Sequence, residues 1–298
     1  MCEITVVIPT HNRAKLLKRT LEFLNEQTYP SDRYEAIVVD DGSRDDTENT
    51  VRALQDRVAY KLKYMRQAHS GPATARNRGV KEVKSQFILF TGDDIFPEKD
   101  LIERHMGSLI QHPDCAILGY VGWSPEQEIT GFMHYLAPNG LQFRFNTIKD
   151  PDDCDFKHFY TSNISLGRRW LIEDMFDEDF PYGALEDAEL SYRLKKKGLR
   201  IIFNQKAVGY HCHQMTIDSF CQRMRLTGIS SVILLKKHPE LKSVLLPIDA
   251  GLAAPVFSIL AKLALLEKVN KKLYWFLRIV NSYLEGVKKG LTSQDSLI

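Results

Sequence analysis

The sequence predicts an α/β fold built on a mostly parallel central sheet and followed by a helical C-terminal extension. Two observations carry this. Apolar, β-branched runs alternate with amphipathic stretches from Ile4 to Pro97, which is the rhythm of βαβ crossovers with helices on both faces. From Ser219 onward the chain is helical in character instead. With 298 residues, 44% of them hydrophobic, the chain can bury one large core and carry an appendage.

Ile4-Thr5-Val6-Val7-Ile8 reads as the first strand, ended by Pro9 and the polar loop Thr10-His11-Asn12-Arg13. A helix follows, apolar at Leu16, Leu17, Leu21, Phe23 and Leu24 and polar at Lys15, Lys18, Arg19 and Glu22. Residues 36–39 form the second strand and end on Asp40-Asp41-Gly42-Ser43; Asp45-Asp46-Thr47 then caps a helix through about Leu54. Residues 62–65 are the third strand, and Gly71-Pro72 opens a helix holding Arg76, Asn77 and Arg78. The fourth strand, Phe87-Ile88-Leu89-Phe90, closes on Thr91-Gly92-Asp93-Asp94.

Ligands of such sheets sit beyond the carboxyl ends of the strands, where Pro9-Thr10-His11, Asp40-Asp41 and Asp93-Asp94 would share one crevice. Two adjacent carboxylates at the mouth of a buried strand are costly unless a cation neutralises them. A divalent ion carrying a diphosphate would do so, since Mg²⁺ or Mn²⁺ takes oxygen ligands from one or two carboxylates plus phosphates. A plain Asp-Asp turn feeding a helix is the alternative, and it loses weight because three strand ends converge. Asp41 can accept from a uracil-type ring N–H or serve as a simple Asp-Gly turn residue; Asp40 braces its turn.

Residues 119–160 lose the strand-helix rhythm and are rich in aromatics. Most belong in the core, with Trp123 or Tyr135 as candidates for lining an acceptor. Residues 161–165 read as a return strand and 199–203 as another. In the extended run 207–213, His211 and His213 share one face and Cys212 takes the other, which argues against a His-Cys-His zinc site.

The blocks Val6-Val7-Ile8-Pro9-Thr10-His11-Asn12-Arg13, Val38-Val39-Asp40-Asp41-Gly42-Ser43-Arg44-Asp45-Asp46-Thr47 and Gly71-Pro72-Ala73-Thr74-Ala75-Arg76-Asn77-Arg78-Gly79 resemble the start of a family 2 glycosyltransferase with the GT-A fold, and further blocks recur to about Gly228. The resemblance implies a single Rossmann-like catalytic domain over residues 1–215, nucleotide-binding in 1–97 and acceptor-binding in 98–215. It implies an inverting, metal-dependent transfer from a nucleoside-diphosphate sugar, UDP-linked, to a hydroxyl of a glycan or glycolipid in polysaccharide or cell-surface glycan biosynthesis. Pro9, Thr10, His11, Arg13 and Asp41 would hold the nucleoside, Arg76 would face the diphosphate or ribose, and Gly92, Asp93 and Asp94 would line the donor. In the family's Asp-x-Asp register Thr91 replaces the first acid, so Asp93 and His211 would carry the Mn or Mg ion, with His213 near the phosphates. Glu186-Asp187 matches the family's Glu-Asp block at a helix N-terminus. Inverting transfer needs a carboxylate to take the acceptor's proton, so Asp187 would be the base and Glu186 its catalytic neighbour.

Other classes fit less well. A nucleotidyltransferase of related architecture wants a Gly-rich loop after the first strand, and Pro9-Thr10-His11-Asn12-Arg13 has no glycine; a dinucleotide oxidoreductase wants GxGxxG there. A non-catalytic glycan- or lipid-binding protein would leave Asp187 and His211 without a task.

Charge is unevenly placed. Residues 216–298 hold 12 Lys/Arg against 6 Asp/Glu, and residues 1–215 hold 28 against 32. The net charge of +2 gives no reason to expect a nucleic-acid partner. Residues 244–266 are apolar but are interrupted by Pro247, Asp249, Pro255 and Lys262, short of a clean membrane span. Residues 262–284 set Leu266, Val269, Leu273, Phe276, Leu277, Val280 and Leu284 on one helical face, with Lys268, Lys271, Lys272 and Arg278 on or beside the other. Such a basic amphipathic helix lies on an anionic membrane, packs on the catalytic domain or pairs with a second copy. Five cysteines without CxxC spacing suit free thiols in a reducing compartment. The first apolar run is too short for a signal-peptide core. The expected location is cytoplasmic, free or peripheral at the inner face of the membrane.

Overall fold

The computed structural model describes residues 2–137, 140–242 and 264–292. Strands β1 (Ile4–Thr10), β2 (Tyr34–Asp40), β3 (Lys61–Arg66) and β4 (Phe87–Thr91) pair in parallel, in the order β3-β2-β1-β4. Their crossovers run through α1 (Ala14–Leu24), α2 (Thr47–Gln55) and α3 (Pro72–Glu82). Alternation along β1 divides the core. Val6 and Ile8 join Leu17 and Leu21 of α1 on one face, while Val7 joins Ile37, Val39, Ala75 and Val80 on the other. Each fully buried Val, Leu or Ile contributes about 1.5–3 kcal/mol, so both faces are held.

The sheet then turns mixed. After β5 (Ile95–Pro97), α4 (Leu101–Gln111) and β6 (Cys115–Trp123), the chain returns through one short helix, α5 (Gly131–Leu136), and irregular turns to β7 (Asn163–Gly167). This return makes β7 antiparallel to both β4 and β6. Past α6 (Glu186–Lys196), β8 (Arg200–His211) runs parallel to β6 and antiparallel to β5, which completes the order β3-β2-β1-β4-β7-β6-β8-β5. The stretch from Phe87 to Pro97 therefore contains two strands at separate places in one sheet, and Gly92, Asp93 and Asp94 bridge them. Register does the rest: Ile95 pairs with His211, which sets that imidazole beside Asp94.

A buried polar network supports this junction. His105 of α4 meets Ser165 Oγ through Nδ1 and Asn163 Oδ1 through Nε2, both at 2.8 Å. Asn163 Nδ2 donates to the carbonyls of Tyr120 and Ala207, at the bulge where β6 and β8 shift register. Trp123 is a core residue: it is buried, donates Nε1–H to Met133 O at 2.8 Å and stacks on His211 with 5.4 Å between centroids. Tyr135 packs on Trp275 of the tail at 5.5 Å.

The tail forms α7 (Ile217–Lys237), α8 (Ala264–Val269) and α9 (Lys271–Thr292). Leu277, Leu284 and Val287 are buried, and α9 lies along α7 so closely that a Cβ on Gly286 would stand 2.0 Å from Arg225 O. One on Gly228 would stand 2.2 Å from Tyr283 O. Of the expected apolar stripe, the C-terminal half packs on the chain itself, while Val269, Leu273 and Phe276 are exposed. Most of the apolar stretch 244–266 lies outside the described residues. Among the described residues no helix is long and apolar enough to cross a membrane.

Candidate active site

The loop leaving β1 is held in an unusual shape. Asn12 adopts a left-handed φ of 54°, which Asn tolerates better than most residues. Its N–H donates to Ser43 Oγ and its Oδ1 accepts from Arg44 N–H, tying this loop to Asp40-Asp41-Gly42-Ser43. Arg13 is thereby delivered to the β4–β5 turn. Its Nη1 reaches Asp93 Oδ1 at 3.1 Å and Asp94 Oδ2 at 2.5 Å. Thr10 Oγ1 donates to Asp93 Oδ2 at 2.7 Å, and Pro9 sits opposite Val39 in the β1–β2 ladder. From the other side His211 Nε2 lies 3.1 Å from Asp94 Oδ2, and His213 stacks on His211 at 5.8 Å. Gly92 is needed for close approach: a Cβ there would meet Asp94 Oδ1 at 2.9 Å.

The two carboxylates are unlike. Burial and the neighbouring Asp94 push Asp93 up to about 6, against the pull of Arg13. Burial also pushes Asp94 upward, but the charge and hydrogen bond of His211, with Arg13, outweigh it and hold Asp94 below the usual carboxylate range. Two nearly buried carboxylates with an imidazole on one of them form a donor set that fits a divalent cation. A second set stands where the nucleoside loop was expected. Ligand atoms of His11, Asp41 and His69 lie within 4.8 Å of one another, and the two imidazoles stack at 4.3 Å.

Asp41 is buried and its carboxylate is fully engaged. It accepts from Gln67 Nε2 and Ser70 N–H on Oδ1 and from Gly71 N–H on Oδ2, at 2.8–2.9 Å, while His69 Nδ1 lies 2.8 Å from Oδ2 and 3.1 Å from the Asp41 carbonyl oxygen. It shapes the loop before α3. Asp40 accepts from Ser43 N–H and the Tyr64 hydroxyl, bracing its turn.

Glu186 and Asp187 form the first turn of α6, after Leu185 in a left-handed φ of 69°. Glu186 is buried and pairs with Arg76 Nη1 at 2.8 Å. Asp187 is half-buried at the crevice, accepts from Ala188 N–H, and is pushed up to about 7 by burial and Glu186. Arg223 of α7 lies within electrostatic reach of both Asp187 and His213, which links the Asp187 carboxylate to the Asp93–Asp94 end.

Several contributors carried no signal in the sequence. Asn77 clamps the backbone of Phe176 by donating to its carbonyl at 2.8 Å and accepting from its N–H at 2.9 Å. Gln127 Nε2 donates to His211 O at 2.7 Å, and Gln142 Nε2 lies 3.4 Å from His211 Nδ1. Such partners are separated by 69 to 99 residues, so local pattern could not pair them.

A family profile described as Glycosyl transferase family 2 matches residues 5–176. Validoxylamine A glucosyltransferase of Streptomyces hygroscopicus subsp. jinggangensis is 30% identical over 270 residues, covering 80% of this chain and 61% of that protein. Chondroitin synthase of Escherichia coli is 26% identical over 266 residues, covering 79% of this chain and 38% of that protein. The chain thus spans less than two thirds of the length of these relatives. Among solved structures, a mannosyltransferase from Pyrobaculum calidifontis in complex with GDP-Man and Mn²⁺ superposes with a TM-score of 0.66 at 19% identity, covering 98% of this chain and 88% of that one. TarS of Staphylococcus aureus in complex with UDP superposes at 0.58 and 17% identity, covering 98% and 92%. These likenesses identify the GT-A fold, and the profile match extends across all four parallel strands and the Asp93–Asp94 turn: the chain belongs to glycosyl transferase family 2.

Proposed function

We propose that this protein is an inverting glycosyltransferase, moving a sugar from a UDP-linked donor to a hydroxyl of a glycan or glycolipid acceptor in polysaccharide or cell-surface glycan biosynthesis. The observation that carries the reading is the pairing of unlike carboxylates around one crevice. Asp187, whose carboxyl burial and Glu186 push up to about 7, is suited to take a proton from an acceptor hydroxyl as that oxygen attacks the anomeric carbon. The buried Asp93 and Asp94, with His211, would hold a Mn²⁺ or Mg²⁺ ion. When bound, that ion neutralises diphosphate charge on the leaving group. Arg13, which bridges both carboxylates, is freed toward the phosphates once they no longer need it, and Arg223 extends the cationic wall, with His213, kept neutral by burial and His211, beside it. At the nucleoside end the side chains of Gln67 and His69 can yield their places on Asp41 to a uracil N–H, while Ser70 and Gly71 keep the loop in place. The UDP complex of TarS supports this choice of base.

UDP with Mn²⁺ raises the Tm of the wild type, and Asp93→Ala removes most of that shift. An undiminished shift would refute the role given to Asp93.

The catalytic unit in this reading is residues 1–215 and the tail residues 216–298, with the tail touching the inner face of an anionic membrane. Exposed Val269, Leu273 and Phe276 beside Lys268, Lys271 and Lys272 support that contact. Leu273→Ser/Phe276→Ser reduces co-sedimentation with phosphatidylglycerol vesicles; binding equal to wild type refutes it.

A further inference from the structure

We propose that Arg76 is a positioning residue for Asp187, acting through Glu186, and that it does not bind the donor diphosphate; the proposal rests on the reading of Asp187 as the base. Arg76 leaves α3 toward α6. Its Nη1 donates to Glu186 Oε1 at 2.8 Å, with side-chain exposures of only 11% and 3%. Its guanidinium also stands 5.4 Å from the centroid of Phe176, the residue whose backbone Asn77 grips. Consecutive residues of α3 therefore fasten both the segment leading to α6 and the first residue of α6 itself.

The backbone enforces the division of labour. Leu185, with its φ of 69°, stores strain of order 1–3 kcal/mol, and directly after it Glu186 is buried while Asp187 remains half-buried at the crevice. The Arg76–Glu186 pair is monodentate: Arg76 Nε and Glu186 Oε2 have no hydrogen-bond partner among the described residues. A buried pair of that kind adds little net stability. Its main consequence is electrostatic, because Arg76 offsets part of the Glu186 charge that pushes the neighbouring Asp187 carboxyl upward. The charged and titratable groups facing Asp187 are Glu186 on its own helix, Arg76 from α3, Arg223 from α7 and Tyr160 from the loop before β7. Without Arg76, the unopposed Glu186 charge makes Asp187 hold its proton to a still higher pH. A base that still holds a proton cannot take one from the acceptor.

The test follows the Asp187 carboxyl by ¹³C NMR titration, with the resonance assigned by its loss in Asp187→Asn, and measures UDP affinity in parallel. In Arg76→Met the Glu186–Asp187 pair loses its last proton about one pH unit or more higher than in wild type. Arg76→Lys returns the titration toward wild type, and Glu186→Gln moves it lower, with UDP affinity close to wild type in Arg76→Met. An unshifted titration in Arg76→Met overturns the proposal, and an accompanying loss of UDP affinity of about tenfold or more would identify Arg76 as a diphosphate ligand. Should Arg76→Met fail to fold, Arg76→Gln takes its place: a raised titration supports the proposal and an unchanged one overturns it. The NMR reading needs no turnover, so a wild type that binds no UDP and transfers no sugar would refute the functional reading without touching the Arg76–Glu186–Asp187 coupling.

Discussion

Asp187→Asn makes the protein more stable at pH 8 and abolishes sugar transfer. The carboxyl ionises at 3.8 as a free side chain and at about 7 in the fold. Between those values the folded chain holds a proton that the unfolded chain has lost, so stability falls as pH rises through that window. The cost is absent below about pH 4 and complete above about pH 7. A shift of three units at about 1.4 kcal/mol each sets a ceiling of about 4 kcal/mol. Solvent at the half-buried position and sharing with Glu186 reduce this to about 1–2 kcal/mol. An uncharged Asn removes that cost, raising Tm at pH 8 by about 2–5 °C and leaving it nearly unchanged at pH 4. Differential scanning calorimetry across pH 4–8 measures the difference, and a coupled assay for released UDP measures turnover. A Tm gain of equal size at pH 4 and pH 8 would refute the electrostatic reasoning, and retained turnover would refute the base assignment. The same titration gives the wild type an acid limb near pH 7 in its rate profile, with activity falling about tenfold per unit below it.

His105 offers an opposite dependence. Complete burial lowers its imidazole to about 4, so stability declines as pH falls from 6.5 toward 4, where the unfolded chain binds the proton first. His105→Leu flattens that decline and costs about 2–4 kcal/mol at pH 7, because Asn163 and Ser165 lose buried partners; urea unfolding at pH 7 and pH 5 checks both. In the tail, Gly286→Val drives a side chain into the Arg225 carbonyl and separates α9 from α7. Hydrogen exchange then shows residues 271–292 losing protection, while UDP with Mn²⁺ still raises Tm; a fully protected α9 would refute the close crossing.

Much of the architecture is legible in the chain because its signals are local. The runs at Ile4, Ala36 and Phe87 are too apolar and too short to be anything but buried strands, the mixed run at Leu62 suits the half-buried edge strand that it forms, and the polar residues at the strand ends mark the crevice. The Glu186-Asp187 pair before an apolar helical stripe reads as a helix start for the same reason. Residues 161–165 read as a return strand, and β7 forms there, but its antiparallel place between β4 and β6 was not legible, since nothing in residues 119–160 encodes which strands it will pair with. The division of residues 87–97 into two strands was hidden as well, because β5 is three residues long and takes its place only from pairing with β8.

Residue pattern alone set out the parallel half of the sheet and the acidic turn at its mouth. Each of these follows from composition and order within windows of about ten residues. Tertiary structure alone decided how the charges are shared. It placed Arg13 across Asp93 and Asp94, His211 on Asp94, Arg76 on Glu186, and the donors of Gln67, Ser70 and Gly71 on Asp41. The physical reason is that a carboxylate's ordinary behaviour is set by its own chemistry, whereas its perturbed behaviour is set by burial and by neighbours that lie far away along the chain. For Asp93 and Asp94, Arg13 is 80 and 81 residues away, and for Glu186, Arg76 is 110.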